Sequence, residues 1–111
     1  MKKVFTDEFL EWINDVDRRL VEKYKIDTHD DKRILARTVK LSEEVGELSE
    51  AVLSYVSDQR AEKLDQFDKS HLDAEIADVI ITALVIARAT KTDANVAIIN
   101  KLKIIQERGG V

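Results

Sequence analysis

The chain has 111 residues, 44% hydrophobic and 36% charged, with a net charge of −4, no cysteine and no proline. That length predicts one domain over residues 1–111 with its own core. The charge gives no electrostatic basis for nucleic-acid binding, and the lack of cysteine excludes disulfides and thiolate metal sites.

Only three glycines are present, two of them near the C-terminus. So few turn residues argue against a β-rich fold and for long helices. The expected fold is all-α, a compact four-helix bundle. The N-terminus, Met1-Lys2-Lys3-Val4-Phe5, lacks the apolar stretch of a signal peptide. The longest apolar run, Val79 to Ala87, is broken by Thr82 and is too short to span a bilayer. No membrane partner is expected, and the expected location is cytoplasmic.

The first predicted helix runs from Asp7 to Tyr24, with Thr6 as N-cap and two acids in its first turn. Its apolar stripe is Phe9, Trp12/Ile13, Val16, Leu20 and Tyr24. A linker over Lys25 to Asp30 follows. The second helix is predicted from Asp31 to Val56, with Ile34, Thr38, Leu41, Val45, Leu48, Val52 and Tyr55 recurring in steps of three and four. Ser57 to Lys69 is mostly polar and reads as a loop or a helical extension. The third helix is predicted to start at Ser70, where Ser70-x-x-Asp73 resembles a capping box. It continues through Val79 to Ala87, a stretch apolar on every face. A helix of that kind is buried on all sides, so a second subunit is expected to cover it. The fourth helix is predicted from Asp93 to Arg108, with Thr92 as N-cap and Gly109-Gly110 as its stop.

Two acidic signatures carry the chemistry. Glu43-Glu44-Val45-Gly46-Glu47 lies on the second helix and Glu75-Ile76-Ala77-Asp78 on the third. Residues three apart share a helical face, so Glu44 pairs with Glu47, and Glu75 with Asp78. Like charges so placed repel, and partial burial raises the cost. Acids on helices are usually a solvated face. Here the second pair is flanked by Ile76, Ala77, Val79 and Ile80, with no lysine or arginine one turn away. A cation between the four carboxylates resolves the repulsion, and all-oxygen ligands suit Mg²⁺ or Mn²⁺. Gly46 sits mid-helix at a cost of about 1 kcal/mol, which points to a close approach to the backbone or to tight helix packing. His29 and His71 make no Glu-x-x-His spacing with the acids, which disfavours a di-iron site.

Glu43-Glu44-x-x-Glu47, a spacer, and Glu75-x-x-Asp78 resemble the signature of the MazG-type all-α nucleoside triphosphate pyrophosphohydrolases, as does the sequence Leu41 to Ala51 around the first motif. The likeness covers about Ile34 to Arg108. It implies a helical bundle that forms a homodimer or homotetramer. It also implies Mg²⁺-dependent cleavage of a nucleoside triphosphate between the α and β phosphates, giving monophosphate and pyrophosphate. By the motif, Glu44, Glu47, Glu75 and Asp78 hold the metal and Glu43 is the candidate base; otherwise Glu43 is an exposed helix acid. Phosphate contacts are expected from the last helix, where Lys101 and Arg108 are placed for them and Lys103 less well. Ile105 stands where a polar residue is expected. Each basic residue reads equally as part of a solvated face.

Two further features remain open at this level. Arg37 and Lys40 share the face of Glu44 and serve either phosphate or helix ion pairs. Trp12, with Phe5 and Phe9, offers either a stacking surface for a nucleobase or ordinary core packing. Two functions from different classes are compatible with these residues. One is a nucleotide pyrophosphohydrolase, the phosphoribosyl-ATP variant included. The other is a non-catalytic helical oligomer that binds nucleotide, metal or a protein partner.

Overall fold

The computed structural model describes residues 2–24, 30–60 and 69–110. These form four α-helices and no strand: α1 (Asp7–Tyr24), α2 (Asp30–Arg60), α3 (Lys69–Ala89) and α4 (Ala94–Glu107). The chain is therefore all-α, as its glycine and proline content required. None of the described helices is long and apolar enough to cross a membrane.

α2 outruns its expected end by four residues. Ser57 to Arg60 contains no glycine or proline, and polar residues alone do not stop a helix. α3 begins at Lys69, so Ser70 lies inside the first turn instead of capping it, and Asp73 pairs with Lys69 at 3.5 Å. The loop reading of residues 61–68, and Ile26 and His29 in the first linker, lie outside the described residues.

The chain divides into two compact units, Met1–Ile34 with Leu84–Val111, and Leu35–Ala83. In the first, Thr6 caps α1 as expected, its Oγ1 accepting from the Phe9 amide at 3.1 Å. Among the described residues, Ile13, Leu84, Val85 and Ala89 form its buried apolar core. Asp17 is buried with them, 3.9 Å from the Arg33 guanidinium. Asn95 is also buried and ties down the N-terminal segment. Its Oδ1 accepts from the Val4 and Phe5 amides at 2.8 and 2.7 Å, and its Nδ2 donates to the Phe5 carbonyl at 3.1 Å.

Asp93, not Thr92, caps α4, its Oδ1 accepting from the Val96 amide at 3.1 Å. Thr92 is engaged in closing α3. Its amide bonds to the Ala87 carbonyl at 2.8 Å while the Lys91 amide reaches the Arg88 carbonyl at 3.2 Å. This is a Schellman closure, which places Lys91 in the left-handed region at φ 58°. α4 ends the same way with Gly109 at φ 76°. Glycine is the residue this position favours, because it lacks the Cβ that crowds the left-handed conformation. Lys91→Gly is expected to raise stability by about 0.5–1 kcal/mol, read as a higher urea midpoint at unchanged m-value. A midpoint that falls would mean the lysine makes contacts that outweigh its strain.

The second unit has an unusual interior. Among its described residues the buried apolar side chains are Ala51 and Leu72, and Arg37, Glu44 and Glu75 are buried as well. Large apolar residues meanwhile lie outside, among them Leu35, Val39, Leu53, Ile76 and Ile80. Within the single chain, then, the Val79–Ala87 helix is not buried on all sides as its composition suggests, since Ile80 is 48% exposed.

Candidate metal centre

The carboxylates converge in the second unit. α2 carries Glu44 and α3 carries Glu75 and Asp78. One carboxylate oxygen from each of the three lies within 4.8 Å of the other two. Ligand oxygens on one Mg²⁺ lie about 3–4 Å apart, given metal–oxygen distances near 2.1 Å. Oxygens that lie within 4.8 Å of one another are thus close enough for one ion to reach all three. Glu44 and Glu75 are buried, at 7% and 8% exposure, and Asp78 is exposed, so the group opens to solvent on the Asp78 side.

The partners of these acids are informative. Glu44 Oε1 lies 3.3 Å from the Lys40 ammonium, and Glu75 Oε1 lies 3.8 Å from His71 Nδ1. The second oxygen of each, Glu44 Oε2 and Glu75 Oε2, is buried without a hydrogen-bond partner. Buried polar atoms are nearly always satisfied, and an unpaired buried carboxylate oxygen is costly. Two such atoms beside a third carboxylate are what a divalent cation would satisfy. The residues present therefore fit the metal that the sequence pointed to.

Lys40 bridges two acids, with its Nζ 3.5 Å from Glu43 Oε2 as well. The hydrogen bond to Glu44 raises the Lys40 ammonium above its ordinary range; burial opposes it, and the attraction of Glu44 and the contact with Glu43 add to the rise. It stays charged at any physiological pH. Glu43 itself is exposed. Glu47 is exposed too, and it is not among the three acids whose oxygens meet. A Cβ built on Gly46 meets nothing within 4 Å, so neither tight packing nor a close approach among the described residues accounts for that glycine.

The remaining candidates lie in the first unit. Lys101 is exposed on α4, and Arg108 is exposed at its C-cap; neither makes an ion pair among the described residues. Lys103 is exposed and Ile105 half-buried. Trp12 is 67% exposed, so core packing is not its role. It borders a shallow cavity of about 250 Å³ with Asp15, Val16 and Arg19. Phe5 and Phe9 pair with each other, ring centroids 5.6 Å apart. His71 beside Glu75 was missed by a search for Glu-x-x-His. The signal that finds it is the reverse spacing, His71-x-x-x-Glu75, which also shares a helical face.

Carboxylates from two helices, two of them with a buried and unpaired oxygen, make a group that could hold a metal ion in an all-α chain. The family model of the MazG nucleotide pyrophosphohydrolase domain matches residues 32–107, and the chain belongs to that family. It is accordingly a nucleotide pyrophosphohydrolase, a hydrolase acting on phosphoric anhydrides. No curated protein and no solved structure was found to match it.

Proposed function

We propose that this protein hydrolyses a nucleoside triphosphate between the α and β phosphates, giving monophosphate and pyrophosphate, with Mg²⁺ or Mn²⁺ held by Glu44, Glu75 and Asp78. The observation that carries this reading is the meeting of those three carboxylates with two buried oxygens left unpaired. Glu47 lies on the Glu44 side of α2, one turn on, and completes the set of oxygen donors. A bound metal would neutralise phosphate oxygens and make water more acidic. Glu43, exposed next to Glu44, takes up the proton that water gives up. Lys40 supplies positive charge to the phosphates; the likeness to the family assigns the same role to Lys101 and Arg108, and the exposed face of Trp12 suits stacking on a base.

The test is a panel of ribo- and deoxyribonucleoside triphosphates, assayed for pyrophosphate with Mg²⁺, with Mn²⁺ and with chelator. Release from at least one substrate, lost in chelator, is the expected result. No turnover across the panel would favour a protein that only binds nucleotide.

We further propose that the working form is a homodimer or homotetramer in the cytoplasm. An exposed stripe on α2 supports an oligomer: Leu35, Val39, Ser42, Gly46, Ser49, Leu53 and Val56, in steps of four and three. Its two hydroxyls are already spent within the helix, Ser42 on the Thr38 carbonyl and Ser49 on the Val45 carbonyl. Burying the stripe therefore costs little polar desolvation, and the open space around Gly46 admits a second helix. Ile76 and Ile80 on α3 add apolar surface. Light scattering at micromolar concentration is expected to return a multiple of 12.7 kDa, and the monomer mass would contradict the proposal.

A further inference from the structure

Both buried glutamates of the carboxylate group are divided in the same way. Each points Oε1 toward a basic side chain four residues earlier on its own helix and keeps Oε2 buried and unpaired. For Glu75 that neighbour is His71 at 3.8 Å, too far for a hydrogen bond. For Glu44 it is Lys40 at 3.3 Å, a permanent charge that also lies 3.5 Å from Glu43. Lys40 precedes its acid along the helix, the less favourable order for an i,i+4 pair. Helix stabilisation is thus a weak reason for this lysine to stand here.

Three carboxylates that meet within 4.8 Å need positive charge when no metal is bound. We infer that Lys40 is the counter-ion of the metal-free site and competes with the divalent cation for Glu44. This rests on the metal reading of Glu44, Glu75 and Asp78 given above. A dication held by Glu44 would meet the Lys40 ammonium, 3.3 Å from the same carboxylate, and the two would repel. Lys40 therefore weakens metal binding to the empty protein. It is long, exposed and free to swing, and a polyanionic phosphate chain draws it away from Glu44. Metal and nucleotide consequently load together, each improving the site for the other.

The test is Mn²⁺ binding to the substrate-free protein, measured by electron paramagnetic resonance for wild type, Lys40→Gln and Lys40→Arg. Lys40→Gln is expected to bind Mn²⁺ about three- to tenfold more tightly, and Lys40→Arg to bind as wild type does. In chelator, Lys40→Gln is expected to melt below wild type, and saturating Mn²⁺ is expected to close that gap. A lysine that only pairs along its helix would leave Mn²⁺ affinity unmoved. Unchanged or weaker Mn²⁺ binding by a folded Lys40→Gln would overturn the inference while leaving the metal site intact. No Mn²⁺ binding by wild type would overturn the metal site and this inference with it.

Discussion

Glu75→Gln is expected to cut nucleotide hydrolysis by at least about 10²–10³-fold while leaving the metal-free protein as stable as wild type, or more stable by about 0.5–2 kcal/mol. The two effects have one cause. Glu75 is buried, its Oε2 has no partner, and it faces Glu44 and Asp78 within 4.8 Å. Without a metal it contributes repulsion and an unsatisfied oxygen. Glutamine has nearly the same shape, removes one negative charge, and brings an amide that donates to a neighbouring carboxylate. With a metal the balance reverses. A ligand stabilises a fold only through its affinity for the folded state, so Mg²⁺ raises the melting temperature of wild type and leaves Glu75→Gln nearly unmoved. Melts of both proteins in chelator and in Mg²⁺ check all four values. A mutant about 3 kcal/mol less stable in chelator, beside a wild type indifferent to Mg²⁺, would mean that Glu75 is a structural salt-bridge partner.

Asn95→Ala is expected to cost about 2–4 kcal/mol. The Asn95 side chain satisfies three backbone groups some ninety residues away in sequence, the Val4 and Phe5 amides and the Phe5 carbonyl. Alanine leaves all three without a protein partner in a half-buried setting. It also releases the segment that places Phe5 against Phe9. Asn95→Asp keeps the acceptor for both amides but sets a carboxylate against the Phe5 carbonyl, so an intermediate loss is expected. Urea denaturation followed by far-ultraviolet circular dichroism measures both. A loss under about 0.5 kcal/mol for Asn95→Ala would show that water replaces these bonds at little cost.

The helices were legible because their signals are local. The recurrence of Ile34, Thr38, Leu41, Val45, Leu48 and Val52 in steps of four and three reports the period of α2, and Thr6 reports the start of α1. The acids were legible for the same reason, since Glu75 and Asp78 at i and i+3 share a face whatever the rest of the fold does. What depends on distant parts of the chain was not. Asn95 sits beside a helix start and looks like one more capping residue, yet its partners are at the opposite end of the sequence. Trp12 shares its stripe with Ile13, and only packing decides which of two adjacent residues goes inside; it was Ile13. Thr92 and Asp93 are both competent caps, and the choice fell to Asp93 because Thr92 is occupied at the end of α3.

The most direct measurement is a ³¹P nuclear magnetic resonance time course of a hydrolysed triphosphate in Mg²⁺ and again in chelator. The account predicts paired growth of monophosphate and pyrophosphate signals in Mg²⁺ and no change in chelator. Orthophosphate appearing with a nucleoside diphosphate, or equal rates in chelator, would contradict it.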